Sequence, residues 1–156
     1  MDHIVVKLGD ISDERDAQAM LTMLAEYMKD PMGGERILSP ELSRKNLEGL
    51  RKQCNYLFFL ALYNGELAGV ANCFINYSTF KAKPLINIHD FSVDPRFRRK
   101  GIGEAMLDKI TDYCRKNDFC KITLEVRYDN NGAQRLYQRY GFSEGETPYH
   151  FWEKEI

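Results

Sequence analysis

Two spacings of apolar residues alternate along the chain and divide it into elements. Residues 3 to 8 form a short β-prone run closed by Gly9-Asp10, after which Ser12 with Asp13 and Glu14 supplies a helix cap and favourable first-turn charge. Ala17, Met20, Leu21, Leu24, Tyr27 and Met28 recur three or four apart, which predicts a helix with one buried, Met-rich face. Asp30-Pro-Met-Gly-Gly34 breaks the pattern. Ser39, Pro40 and Glu41 restart it as N-cap, first helical residue and favourable charge, and this second helix runs to about Gln53. Its Arg44, Lys45, Arg51 and Lys52 are diluted by Glu41 and Glu48 and read as a solvated face.

Tyr56 to Tyr63 is apolar at every position, as in a central strand covered on both faces. Asn64-Gly65 favours the positive φ angles of a type I′ turn, so Glu66 to about Tyr77 should return antiparallel, with Gly69 marking a bulge or close packing. Leu85 to Val93 changes parity: Ile86 and Ile88 share one face, whereas Phe91 and Val93 fall on the other. One inserted residue restores both pairs to the same side, which predicts a β-bulge near His89-Asp90 that splays this strand from its neighbour. A helix from Gly101 to about Lys116 follows, with Ile102, Ala105, Met106, Ile110, Tyr113 and Cys114 on one stripe. Cys120 to Arg127 alternates Ile122, Leu124 and Val126 inward. Asp129-Asn-Asn-Gly132 caps a last helix whose face is Ala133, Leu136, Tyr137 and Tyr140 and which ends at Gly141; Tyr149 to Glu155 reads as a final strand. This order predicts one domain, residues 1–156, of α/β (α+β) class: a mixed central β-sheet with a bulged, splayed strand and helices on both faces.

Composition narrows the partners. A hydrophobic fraction of 44%, a charged fraction of 29% and a net charge of −1 describe a soluble domain with no overall attraction to nucleic acid or anionic membrane, so any basic site is local. Cys54, Cys73, Cys114 and Cys120 have no metal-ligand spacing, which predicts no metal and reduced thiols, fitting a cytoplasmic protein. Neither a leader-like N-terminus nor a membrane-length apolar run is present, so no membrane association is expected.

One local basic site stands out. Phe91-Ser-Val-Asp-Pro-Arg-Phe-Arg-Arg-Lys-Gly-Ile-Gly103 leaves a strand at Pro95, turns basic and enters a helix through two glycines. Gly101 and Gly103 allow close backbone approach, first-turn N–H groups point beyond the helix end, and Arg96, Arg98, Arg99 and Lys100 add charge, which together suit a pyrophosphate. A dinucleotide fingerprint would need a third glycine at Met106, and a P-loop would need a Lys followed by Ser or Thr after its second glycine; both are absent. Arg98-x-x-Gly101-x-Gly103, with Asn130-x-x-Ala133-x-x-Leu136-Tyr137-x-x-x-Gly141-Phe142 downstream, resembles the two motifs of the GCN5-related N-acetyltransferases (GNAT family). The likeness covers roughly Ile86 to Phe142.

The resemblance implies a GNAT-like sheet, acetyl-CoA as cosubstrate, and direct acetyl transfer to a primary amine of a small molecule or peptide. It assigns the cosubstrate site to Phe91, Ser92, Val93, Arg98, Arg99, Lys100, Gly101, Ile102, Gly103, Asn130, Ala133 and Tyr137, with pantetheine in the slot beside the bulge and Tyr137 as acid for the departing thiolate. The amine must lose a proton, and His89, Asp90 or a water relay could take it. Backbone N–H groups of Phe91 to Val93 could polarise the thioester carbonyl. Glu104 should face solvent, away from phosphates. Tyr27, Glu26, Asp30, Glu35, Tyr77, Phe80, Glu146 and Tyr149 are the carboxylates and aromatics available to an acceptor. The alternative is a non-catalytic GNAT-fold module that binds and senses acyl-CoA. A nucleic-acid-binding reading of Arg96 to Lys100 lacks an extended basic face and interleaved aromatics. Phe151 and Trp152, at the edge of an apolar C-terminal strand, could pair between subunits of a homodimer.

Overall fold

The computed structural model describes residues 1–156. In chain order its elements are β1 (Ile4–Leu8), α1 (Glu14–Lys29), a 3-10 turn (Pro31–Gly33), α2 (Pro40–Leu50), β2 (Tyr56–Tyr63), β3 (Glu66–Ser78), β4 (Lys83–Val93), a 3-10 turn (Pro95–Phe97), α3 (Ile102–Lys116), β5 (Ile122–Leu124) and α4 (Asn131–Arg139). The sheet runs β1-β2-β3-β4-β5; all neighbours are antiparallel except β4 and β5, which are parallel.

The all-apolar β2 explains the layering. Its Phe58 and Leu60 pack with Ala17, Met20, Met23 and Leu47 of α1 and α2, while Leu57 and Phe59 pack with Leu107, Ile110, Cys114 and Tyr137 of α3 and α4. Alternate side chains of one strand thus anchor both helical layers. The hairpin after β2 has φ of 49° at Asn64 and 85° at Gly65, the positive pair that a type I′ turn requires.

The bulge lies where the parity change puts it. Asn72 pairs with Asp90 and Cys73 with Ile88, so His89 is the extra residue, and Ile86, Ile88 and Phe91 all join the α3/α4 core. A second bulge sits beside Gly69: Ala61 pairs with Gly69 and Leu62 with Leu67, leaving Ala68 over. A Cβ at Gly69 would lie 3.1 Å from both Met106 Sδ and the Ser92 carbonyl oxygen, so this glycine also lets α3 approach the sheet.

Four expectations are corrected. The cap of α1 is Asp13, whose carboxylate accepts from the Arg15 and Asp16 amides, and not Ser12, which instead bonds Asp10. Helix α2 ends at Leu50. The strand expected over Cys120 to Arg127 is ordered only at Ile122–Leu124, and Val126 is 38% exposed. No strand forms over Tyr149 to Glu155; Tyr149, Phe151 and Trp152 are exposed, and without packing against the sheet their strand propensity is not realised. The strand on which pairing between subunits was expected is therefore absent. The thiols of Cys73 and Cys114 are buried, Cys120 is half-buried and Cys54 is exposed. No helix is long and apolar enough to cross a membrane.

Candidate active site

The site begins where the sheet stops being paired. β4 meets β5 only from Ile86/Ile122 to Ile88/Leu124, yet β4 continues to Val93. The Asp94 amide donates to the Ala68 carbonyl on the β3 side, so by alternation the amides of Phe91 and Val93 face away from β3, into the opening. Arg98 Nε reaches the Val93 carbonyl at 3.4 Å on that same side. The Ser92 amide points at β3, which reduces the expected row of three amide donors to two. The opening is a cleft of about 710 Å³ lined by β4, the start of α3, the end of β5, α4 and the end of α1. That volume suits an extended organic ligand.

At one part of the cleft is the N-terminus of α3. It begins at Gly101, φ 81°, and has no side-chain cap, whereas Asp13, Ser39 and Asn130 cap the other three helices. Arg99 just before it also has positive φ, 62°, a strained conformation for a non-glycine residue. The tight turn leaves the first-turn amides of Ile102 and Gly103 to an outside acceptor. A Cβ at Gly103 would stand 2.9 Å from Leu136 Cδ2 and 3.7 Å from Phe91 Cε1, so any side chain here would displace the end of Leu136 where α3, α4 and β4 meet.

Helix α4 forms the facing wall. Asn130 uses Oδ1 to cap it, accepting from the Ala133 amide at 3.2 Å, and its Nδ2 remains a donor at the cleft. Tyr137 is 7% exposed, with its ring edge-on to Phe91 at 5.8 Å and tilted against Phe142 at 5.7 Å. Burial, helped by nearby Tyr27, pushes its phenol above the ordinary value, so it stays protonated at neutral pH. Arg135 and Arg139 follow at the mouth, where Arg139 donates to Glu104 at 2.8 Å.

A strap formed by the end of α1 and the following 3-10 turn completes the cleft with Tyr27, Asp30 and Met32. Two arginines hold it from different elements: Arg98 Nη2 donates to Asp30 Oδ2 at 2.8 Å, and Arg127 Nη1 to the Pro31 carbonyl at 3.3 Å. Burial raises the Asp30 carboxyl, but the bonds from Arg98 and the Met32 amide outweigh it and hold the group below the usual carboxylate range. His89 lines the cleft, exposed, with its ring edge-on to Phe74 at 5.6 Å. Asp90 is half-buried behind it and accepts from Asn72 Nδ2 at 3.1 Å.

Of the residues expected from sequence, Phe91, Ser92, Val93, Arg98, Arg99, Gly101, Ile102, Gly103, Asn130, Ala133, Tyr137 and His89 converge on this cleft. Asp90 and Lys100 do not: Asp90 is absent from the cleft wall and accepts from buried Asn72, and the Lys100 ammonium bonds the Tyr63 hydroxyl at 3.3 Å and sits over that ring, turned toward the sheet. Arg98 is paired with Asp30 and so is not an uncommitted cation. Glu104 lines the mouth and is neutralised by Arg139, where solvent exposure alone was expected. Among the acceptor-side residues, Tyr27 and Asp30 line the cleft; Tyr77, Phe80 and Tyr149 are exposed elsewhere. Met32, Arg127, Arg135 and Arg139 were missed. The i, i+4 spacing of Arg135 and Arg139 was the available signal, since it puts both on one face of α4.

Comparison with known proteins agrees with this geometry. The model of the acetyltransferase (GNAT) family matches residues 20–142. An uncharacterized N-acetyltransferase of Methanocaldococcus jannaschii is 37% identical over 91 residues, 58% of this chain and 40% of the relative. The [ribosomal protein bS18]-alanine N-acetyltransferase of Escherichia coli K12 is 36% identical over 89 residues, 57% of this chain and 56% of its own length. The match thus spans about half the length of these curated relatives. The aminoglycoside N-acetyltransferase AAC(6')-Iy, solved in complex with CoA, superposes with a TM-score of 0.75 at 16% identity, covering 100% of this chain and 97% of the other.

Proposed function

The chain belongs to the acetyltransferase (GNAT) family, and from that premise we propose that it transfers an acetyl group from acetyl-CoA directly to a primary amine of a small molecule or peptide. The observation that carries this reading is the unpaired edge of β4, which runs from the bulge at His89 to the uncapped start of α3, with Tyr137 alongside. The residues present fit the cosubstrate. A Cβ at Gly103 would crowd the wall of the cradle, α3 offers unpartnered amides to a pyrophosphate, and Arg99 and Arg135 add positive charge. The related and neighbouring proteins carry names that include an alanine of a ribosomal protein and an aminoglycoside as acceptors, and both are amines.

Acetyl-CoA supplies the activated acyl group. In the balanced reaction an alkylammonium and the thioester give the N-acetyl amide, free thiol and one proton. The chain's own groups each take one task. The Phe91 and Val93 amides hold an extended arm and can donate to a carbonyl oxygen on which negative charge develops. His89 or Asp90 receives the proton of the incoming amine. The second proton that the ammonium loses goes to solvent before attack; Tyr137 keeps its own proton and gives a hydrogen bond to the departing sulfur, which takes its proton from solvent. Burial makes this phenol a weaker acid than an exposed tyrosine, so hydrogen-bond donation fits it better than full transfer.

The test is thiol release from acetyl-CoA across polyamines, amino acids, aminoglycosides and peptides, with calorimetry of acetyl-CoA binding. Amine-dependent release supports the enzyme and names its acceptor. Binding without release from any amine points to the acyl-CoA-sensing alternative, and absence of binding overturns the cradle assignment.

A further inference from the structure

Two arginines hold the strap, and they are not equivalent. Apart from the bond that Arg98 gives to Asp30 and the one that Arg127 gives to the Pro31 carbonyl, no hydrogen bond joins residues 30–38 to any later part of the chain. Internally the strap is tight. Asp30 accepts from the Met32 amide with its second carboxylate oxygen at 3.0 Å, the Gly33 amide donates to the Asp30 carbonyl at 2.8 Å, and the Arg36 amide donates to the Met28 carbonyl at 2.6 Å. A Cβ at Gly33 would fall 1.8 Å from the Tyr27 carbonyl oxygen, so the turn lies directly on the end of α1. The strap is therefore one unit with Tyr27 and Met32, which line the cleft, and its two anchors set where that unit stands.

Arg127 is braced from behind. Its Nε and Nη2 form a bidentate pair with Asp129 at 2.9 and 2.8 Å, which leaves Nη1 for Pro31. Its carbonyl accepts from the Asn130 amide at 3.0 Å and from Gln134 Nε2 at 2.8 Å, so the first turn of α4 fixes the loop that aims it. Arg98 belongs instead to the basic loop that enters α3, and its partner on the strap is a carboxylate. A phosphate at the start of α3 offers Arg98 a second anionic acceptor, in competition with Asp30. The charge of Arg127 is already offset by Asp129 and its partner on the strap is a neutral carbonyl, so the same phosphate draws on it far less.

We propose that Arg127 is a positioning residue that keeps the strap in place once the cosubstrate has drawn Arg98 away from Asp30, so that the loaded enzyme retains a formed amine side. The inference rests on the N-acetyltransferase reading. With β4 and the start of α3 taken by the cosubstrate, the Tyr27 and Met32 side of the cleft is left for the amine. That side must stand still for the nitrogen to meet the thioester in line. Without ligand either arginine holds the strap; with the cosubstrate bound, Arg127 holds it alone.

The experiment is hydrogen exchange of the strap, read by mass spectrometry on peptides spanning residues 27–36, with and without saturating acetyl-CoA, in the wild type, Arg98→Ala and Arg127→Met. Methionine keeps an unbranched stem and removes every donor, and Asp129, 60% exposed, is left in contact with water. In the wild type and in Arg98→Ala, acetyl-CoA should change exchange of the strap by less than about twofold. Arg127→Met should exchange near the wild-type rate alone and about tenfold faster with acetyl-CoA. With the amine that the wild type acetylates best, Arg127→Met should raise KM for the amine about tenfold and leave kcat and the Kd of acetyl-CoA within about twofold. Exchange in Arg127→Met that ignores acetyl-CoA, faster exchange along the whole chain, or weaker acetyl-CoA binding in place of the raised KM would overturn the assignment while leaving the enzyme reading intact. A wild-type protein that binds acetyl-CoA and acetylates no amine overturns the enzyme reading and the amine side with it.

Discussion

Arg98 Nη2 lies 2.8 Å from Asp30 Oδ2, joining the loop before α3 to the end of α1 across 68 residues of sequence. The guanidinium at the edge of the anion cradle is thus already paired with a carboxylate. On the proposed reading, an arriving pyrophosphate would compete with Asp30 for the same donor and so couple the cradle to the strap that carries Tyr27 and Met32.

That competition gives the two partners opposite effects. Asp30→Asn keeps an oxygen for the Met32 amide but releases Arg98, so acetyl-CoA should bind about two- to fivefold more tightly; Arg98→Ala should weaken it by a similar factor. Calorimetric titration of both variants checks this. Equal weakening in both would show that the pair supports the strap without competing for phosphate.

The same pair should be visible in acid. The Asp30 carboxyl is held below its ordinary value of about 4, so it is stabilising above that pH and the contribution is lost as pH falls through the lowered folded value. Because Arg98 is 52% exposed and therefore screened, the contribution stays under about 1 kcal/mol. The melting temperature of the wild type should exceed that of Asp30→Asn by a constant margin of at most a few degrees from pH 8 to about pH 5, narrowing below about pH 4. Asp94, also depressed by its bonds with Arg96, is common to both proteins and cancels.

The two glycines of the cradle separate stability from binding. Gly101 has room for a methyl group, its nearest atom being Ile4 Cδ1 at 3.7 Å, but its φ of 81° makes Gly101→Ala cost about 1–2 kcal/mol and several degrees of melting temperature. Gly103→Ala meets Leu136 Cδ2 at 2.9 Å, the movable end of a side chain. The fold should survive with little change in melting temperature, while displacement of Leu136 at the cleft weakens acetyl-CoA about tenfold.

Particular residues show what a sequence can and cannot reveal here. The parity change between Ile88 and Phe91 located the bulge because side-chain alternation in a strand is a strict geometric constraint. Asn64-Gly65 and the two glycines at the start of α3, Gly101 and Gly103, were legible for a similar reason, since each meets a local requirement within a few residues. Pairings set by the tertiary fold were not legible. Lys100 sits among arginines in the sequence, yet Tyr63 from β2 draws it away from the cleft. Arg98–Asp30 and Tyr56–Asn72–Asp90 join residues whose separation carries no periodic signal. The segment from Tyr149 to Glu155 had strand propensity, but its aromatic residues stay exposed and pack on nothing that would hold a strand there.

Tyr137 allows the sharpest check on the chemistry. Its ring packs on Phe91 and Phe142, and these contacts survive in Tyr137→Phe, so the melting temperature should change little. Under the proposed mechanism, removing the hydroxyl withdraws a hydrogen bond to the departing sulfur, an interaction that would strengthen as charge develops there. The loss should therefore fall on kcat, by about a hundredfold, with KM for acetyl-CoA nearly unchanged. The wild-type rate should also show no decline from ionisation of this phenol below about pH 10, because burial moves that ionisation upward. A variant that retains full kcat would remove Tyr137 from the reaction and leave it as a wall of the cleft.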